Sequence, residues 1–334
     1  MFEMPLLLIV IIFLALVFAY TNGAHDAANA IAPVISTQVL SPKAAVLMAG
    51  TLDFIGAFLG TGVAETMAKG IVNIDMISGC RTLLVAALLG AIMWNAFTWW
   101  LGLPSSSSHA LVGGLMGAGI VSSGWNCLQI GLILKKVILP LFLSPLSGFL
   151  AGYFLMVGLA HMTRRFKYQP TNALFKKLQI LSAGFMALSH GSNDAQKTMG
   201  IITLALVIFL QIPCLVVPLW VKVACAAAIS AGMMTGGWKI IKTMGQKIFK
   251  MEPVHGFAAQ SATTAVIVTA SFVGAPISTT QVISSSVLGV GSAKRFSAVH
   301  WEFGACMVIA WFVTIPAAAL VGGLCMAIIR LIWG

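Results

Sequence analysis

The sequence predicts an all-α polytopic membrane protein, with about ten membrane crossings arranged as two inverted-topology repeats, and three observations lead there. Of 334 residues, 59% are hydrophobic and only 8% charged, whereas a soluble domain carries about 25% charged residues. Apolar stretches near the ~20 residues that a spanning helix needs recur along the whole chain. Polar motifs of the first half return in the second half at a nearly constant offset. The first observation alone excludes an ordinary cytosolic enzyme, a disordered chain and a nucleic-acid-binding protein, because too little polar surface exists to keep a globule in water. The net charge of +11 then reflects orientation and attraction to the lipid bilayer, since basic residues gather at cytoplasmic helix ends, and it calls for no nucleic-acid partner.

The expected crossings fall at 5–40, 44–64, 78–101, 104–124, 137–160, 179–210, 214–236, 254–274, 276–293 and 303–330. The run from Pro5 to Tyr20 has the length of a secretory signal but only Glu3 ahead of it, so it reads as the first membrane helix. The first and sixth segments are too long for one straight helix and hold polar residues midway, which predicts broken helices, with Gly23 and Gly191 as the points of unwinding. Residues 161–178 carry Arg164, Arg165, Lys167, Lys176 and Lys177 without an acid, and 238–252 carry Lys239, Lys242, Lys247 and Lys250 against Glu252 alone. Both stretches are expected on the cytoplasmic face, with Lys43 and the Lys294–Arg295 pair; Lys69, Arg81, Lys135, Lys136, Arg330 and both termini fall outside. The chain thus divides into a first repeat (1–160), a basic cytoplasmic linker (161–178) and a second repeat (179–334). Cys80, Cys127, Cys214, Cys225, Cys306 and Cys325 are scattered without CxxC spacing and read as buried small hydrophobes. Gly56/Gly60, Gly113/Gly117 and Gly148/Gly152 have helix-packing spacing, and Trp99, Trp100, Trp125 and Trp301 sit near span ends as interface anchors.

The repeat is carried by two motif pairs. TNGAHDAANA (21–30) and SHGSNDAQKT (189–198) align on Gly23/Gly191, Asp26/Asp194 and Ala27/Ala195 at an offset of 168 residues. GLPSSSSHALVGGLMGAG (102–119) and GAPISTTQVISSSVLGVG (274–291) align without a gap at an offset of 172. Thr66-Met67 and Thr243-Met244 form a weaker third pair. Five crossings per half turn the second copy upside down, and inverted repeats of this kind place secondary-transporter sites near the membrane midplane.

Acids inside a membrane are functional candidates by default. Asn22, Asp26 and Asn29 share one helical face, grouping a carboxylate with two amides, and such hard oxygen ligands suit a small cation such as Na⁺ at Asp26 and Asp194. The alternative is that each aspartate only caps the second part of its broken helix. Pro104 and Pro276 suit a first helical turn, so Ser106, Ser107 and Ser108 and, in the second half, Ser278, Thr279 and Thr280 read as hydroxyl-lined helix starts able to bind a tetrahedral oxyanion. Alternatively these hydroxyls bond only to their own or neighbouring helices. Lys197 follows Asp194 by three residues and either pairs with it or lends charge to an anion. His25, His109 and His190 are candidates for a proton relay or for hydrogen-bonded packing. No nucleophile–base pair or metal-ligand cluster stands outside these motifs, so an enzyme is not expected.

Asn22 to Ala32, Ser189 to Gly200 and the pair GLPSSSSHA and GAPISTTQ resemble the signatures of the inorganic phosphate transporter (PiT) family, and the resemblance runs from residue 20 to the end. It implies a bacterial-type plasma-membrane symporter of inorganic phosphate driven by Na⁺ or H⁺, working by alternating access, built from inverted repeats and homodimeric, without a cofactor, and carrying phosphate free or complexed with a divalent metal. Asp26, Asn22 and Asp194 would serve the coupling cation; Asn29, Asn193, Ser106, Ser107, Ser108, Ser278, Thr279 and Thr280 would serve the anion. Gln281 departs from the family pattern, which commonly has a histidine there, opposite His109. The rival expectations are a sulfate or other oxyanion permease on the same scaffold and an anion channel.

Overall fold

The computed structural model describes residues 3–69, 80–211 and 216–333, and regular structure among them is helical throughout. The first half contains α1 (Glu3–Ser36), α2 (Pro42–Gly56), α3 (Gly62–Lys69), α4 (Leu83–Leu101), α5 (Ser107–Ser123) and α6 (Ile130–Thr163). The second contains α7 (Tyr168–Leu210), α8 (Leu219–Thr235), α9 (Trp238–Lys247), α10 (Pro253–Phe272), α11 (Thr279–Lys294) and α12 (Trp301–Trp333). Polarity is inside out relative to a soluble protein: Phe13, Phe154, Phe185 and Leu331 are exposed, while Asp26, Asp53, Asp194 and Lys197 are each no more than 1% exposed. This is what a hydrocarbon surround requires, since charge is tolerated there only inside the bundle.

Each expected crossing contains helix, but the lengths differ. Among the described residues α1, α4, α6 and α12 are long and apolar enough to span a membrane, and α8 with α9, bent by 59°, adds a fifth such unit. Helices α2, α5 and α11 have 15, 17 and 16 residues, short of the ~20 that a full crossing takes, and α7 reaches 43 residues with a polar middle. α7 begins at Tyr168, so most of the expected linker is helix and its non-helical part is confined to 164–167.

The breaks expected in the first and sixth segments do not occur. α1 runs unbroken through Asn22–Asn29 and α7 through His190–Lys197, because neighbouring helices supply partners for the polar side chains and the backbone keeps its own bonds. Gly23 and Gly191 act by their missing side chains: a Cβ at Gly23 would collide with the Ile229 carbonyl of α8, and one at Gly191 with the Asp53 carbonyl of α2. The contacts are reciprocal, Gly232 of α8 meeting Tyr20 and Gly56 of α2 meeting Leu188, so small residues let backbones touch where no hydrophobic effect drives helices together. Packing follows the same pairing throughout. α1 packs on α8 as α7 packs on α2, α5 on α12 as α11 on α6, α4 on α5 as α10 on α11, and α1 and α7 touch each other.

Of the cysteines, Cys127 and Cys225 are buried and Cys80 and Cys325 half-buried, but Cys306 is exposed; it lies on the apolar outer face of α12, where lipid substitutes for a core. Cys214 and the Lys69 side chain lie outside the described residues. Trp99, Trp100 and Trp125 are exposed, as interface anchors would be.

Candidate substrate and cation site

The starts of α5 and α11 meet the polar faces of α1 and α7 in one buried cluster. On α1, Asn22, Asp26 and Asn29 share a face as their spacing requires. Ser107 Oγ donates to Asn22 Oδ1 at 2.5 Å and to Asp26 Oδ2 at 3.0 Å. Thr280 Oγ1 donates to the other Asp26 oxygen at 2.6 Å and accepts from Asn29 Nδ2 at 3.1 Å. On α7, Thr279 Oγ1 donates to Asp194 Oδ2 at 2.8 Å. Lys197 Nζ donates to Asp194 Oδ1, to Ser108 Oγ at 2.6 Å and to the Ile277 carbonyl at 2.9 Å. Asp26 is thus bonded by hydroxyls from both helix starts, and Asp194 by Thr279 directly and by Ser108 through Lys197, so residues far apart in sequence form one unit.

A histidine joins the two acids. His190 Nδ1 lies 2.6 Å from Asp53 Oδ1, while its Nε2 is 3.2 Å from Asp194 Oδ2 and 3.7 Å from Asp26 Oδ2. His25 is placed beside Asp26, its Nδ1 3.5 Å from Oδ1, and its Nε2 reaches Thr98 Oγ1 at 3.2 Å and Ser105 Oγ at 3.3 Å. Among the described residues Asp26, His190 and Asp194 offer ligand atoms within 4.8 Å of one another, a spacing a cation can bridge.

Asp53 was not among the expected site residues. The rule that singles out Asp26 and Asp194, an acid within an apolar segment, applies to it equally. It was hidden because it has no acidic twin: the residue that meets Gly23 as Asp53 meets Gly191 is Ile229.

Other expected residues are placed differently. Ser106 and Ser278 are N-caps, accepting from the backbone N–H of His109 and Gln281 at 3.3 Å each, so their side-chain oxygens are engaged by their own helices. Pro104 and Pro276 stand two residues before those caps, outside the first turn that was expected for them. They belong to the ends of the preceding helices, where Gly102 and Gly274 adopt φ of +71° and +65° and a following proline blocks further helix. Asn193 turns from the aspartates, its Nδ2 donating to Ser271 Oγ on α10 at 2.9 Å. His109 faces a cavity shared with Ser108, Lys136 and Pro276; a neighbouring cavity, also lined by Thr66 and Lys136, continues to Glu65. Gln281 is fully buried, with neither end of its amide hydrogen-bonded.

Residues 22–172 and 160–322 match the family described as "Phosphate transporter family". The chain belongs to the phosphate transporter family. Its relatives include proteins named "Probable low-affinity inorganic phosphate transporter" in Bacillus subtilis (strain 168), 43% identical over 98% of both chains, and in Rhizobium meliloti (strain 1021), 43% identical over 96% of this chain and 95% of that one. A solved structure described as "The sodium-dependent phosphate transporter" superposes with a TM-score of 0.87, at 24% identity, over 98% of this chain and 99% of that chain, so the two share a fold. Family membership places the chain among membrane transporters and not among enzymes.

Proposed function

We propose that this protein is a secondary active symporter that carries inorganic phosphate with Na⁺ by alternating access between two inverted repeats. The observation that carries the reading is the convergence of both Ser/Thr helix starts and both repeat aspartates on one buried cluster. First-turn amides of α5 and α11 have no intrahelical acceptor and carry partial positive charge suited to an oxyanion. Ser107, Ser108, Thr279 and Thr280, now turned to Asp26, Asp194 and Lys197, supply hydroxyls that rotate onto phosphate oxygens. Ser106 and Ser278 assist as caps, and Asn29 orients the Thr280 hydroxyl through Nδ2, while Asn193, bonded to Ser271, stands apart from the donor set.

The paired packing of the two halves, with α5/α12 matched by α11/α6, supports the inverted repeats and the ten-segment topology; short α5 and α11 then enter the membrane as part-spanning helices. Coupling follows from the cost of isolated charge in low dielectric: phosphate and cation together cross, whereas either alone does not. The oxygen-rich surroundings of Asp26 and the name of the structural neighbour support Na⁺. Sulfate is the nearest rival cargo. Phosphate near neutral pH still carries a proton to donate, and carboxylates beside the hydroxyls favour it over sulfate, which has none. The tightly packed cluster supports a carrier over a channel. The bacterial relatives support the bacterial inner membrane, and a homodimer is part of the same reading.

The test is uptake of labelled phosphate by proteoliposomes with Na⁺ and pH gradients imposed separately. Saturable, accumulative uptake driven by the Na⁺ gradient and resistant to excess sulfate is expected. No phosphate uptake under either gradient, or equal competition by sulfate, contradicts the reading.

A further inference from the structure

We infer that the Lys197 ammonium is a tethered cation that permanently fills one of two repeat-related cation sites, leaving a single exchangeable site for Na⁺ at Asp26, Thr280 and Asn29. This rests on the symporter reading above and specifies its cation.

The three protons of an ammonium are its whole donor capacity, and all three have acceptors here: Asp194 Oδ1, Ser108 Oγ and the Ile277 carbonyl. Lys197 is 1% exposed. A carboxylate, a hydroxyl and a backbone carbonyl gathered on a compact positive charge is the donor set of a small hard cation. With all its N–H bonds engaged, Lys197 has none left for a phosphate oxygen.

The repeat offsets generate the matching site. Asp194 corresponds to Asp26, Ser108 to Thr280 and Ile277 to Ser105, and the position matching Lys197 is Asn29. Two of these counterparts are already assembled, Thr280 Oγ1 bonding Asp26 Oδ1 at 2.6 Å, and the Asn29 amide is attached to Thr280 through Nδ2 at 3.1 Å. Asn29 is 1% exposed, yet its Oδ1 has no hydrogen-bond partner. An unpaired buried oxygen is costly, and a cation between it, Thr280 and Asp26 supplies the missing partner. Charge points the same way. Asp194 holds Lys197 and Asp53 holds His190 at 2.6 Å, whereas Asp26 receives only hydroxyl hydrogen bonds, with the imidazoles of His25 and His190 at 3.5 Å and 3.7 Å. One carboxylate that has no ammonium of its own suits a monovalent ion.

The experiment is the Na⁺ dependence of phosphate uptake by the purified full chain in proteoliposomes. Wild type should show a Hill coefficient of about one, and Lys197→Asn, which restores the residue found at position 29, should raise it towards two, since the coefficient is bounded by the number of sites. Asn29→Leu should raise the half-saturating Na⁺ concentration by about tenfold or more, and by a larger factor than the phosphate KM. A wild-type coefficient near two overturns the inference while leaving the symporter reading standing; phosphate uptake indifferent to Na⁺ overturns both. Should Lys197→Asn not fold, the wild-type coefficient and Asn29→Leu still decide, and a phosphate KM that rises in Asn29→Leu with Na⁺ affinity unmoved counts against it.

Discussion

The polar faces of α1 and α7 are copies of one another in position and differ in charge. Around Asp26 stand Asn22, His25 and Asn29; around Asp194 the same places hold His190, Asn193 and Lys197. Asp53 adds an acid that meets α7, where its counterpart meeting α1 is Ile229. The α7 side therefore brings an ammonium to Asp194 and an imidazole to Asp53, while Asp26 on the α1 side is hydrogen-bonded by the hydroxyls of Ser107 and Thr280 and has no ammonium of its own. In the account proposed above, the two halves are equivalent frames whose work is divided by substitutions at a few places: the α7 half is closed by its own lysine, and the α1 half is completed by an ion that comes and goes.

The sharpest way to break this contrast is to neutralise the two aspartates separately. Asp194→Asn strands the buried Lys197 ammonium, which should cost about 3–5 kcal/mol, read as a large fall in thermal stability. Asp26→Asn removes no counter-charge from a buried lysine; it should melt closer to wild type while losing phosphate uptake by roughly a hundredfold or more, the kinetic equivalent of about 3 kcal/mol. Equal losses of stability would erase the distinction. A smaller effect is expected at the residues where the halves differ outright. Asp53→Asn should reduce uptake roughly tenfold, as loss of a charged hydrogen bond predicts. Ile229→Val should cost only about 0.5–1.5 kcal/mol of stability, with uptake little changed; a comparable uptake defect in both would remove Asp53 from the site. The smallest effects belong to the caps, where the halves are alike. Ser106→Ala and Ser278→Ala should each lose about 1 kcal/mol of stability without moving the Na⁺ dependence, and a shift in either would give that serine a role beyond its helix.

Much of the candidate site was legible because membrane chemistry leaves few explanations for polar residues. Asp26 and Asp194, and the hydroxyls at Ser107, Ser108, Thr279 and Thr280, stand out against apolar surroundings and recur in register. Periodicity alone placed Asn22 and Asn29 beside Asp26. What stayed hidden depended on contacts between distant segments. Whether Gly23 and Gly191 unwind a helix or admit a neighbour is decided by the carbonyls of Ile229 and Asp53, which no local pattern displays. Pro104 suits a helix start and a helix stop equally well, and only the left-handed Gly102 before it settles which. Asp53 has no acidic repeat partner, Ile229 standing in the matching place, so repeat symmetry does not single out the residue at which the symmetry fails. Lys197 could be read toward an anion or toward Asp194 until the oxygens from Ser108 and Ile277 were in place.

The most direct test of the division between the halves is equilibrium binding of ²²Na⁺ to the purified protein and to Asp26→Asn. Wild type is predicted to bind one Na⁺ per chain and Asp26→Asn none. Two ions bound by wild type, or undiminished binding by Asp26→Asn, would contradict the assignment of the exchangeable cation to the α1 half.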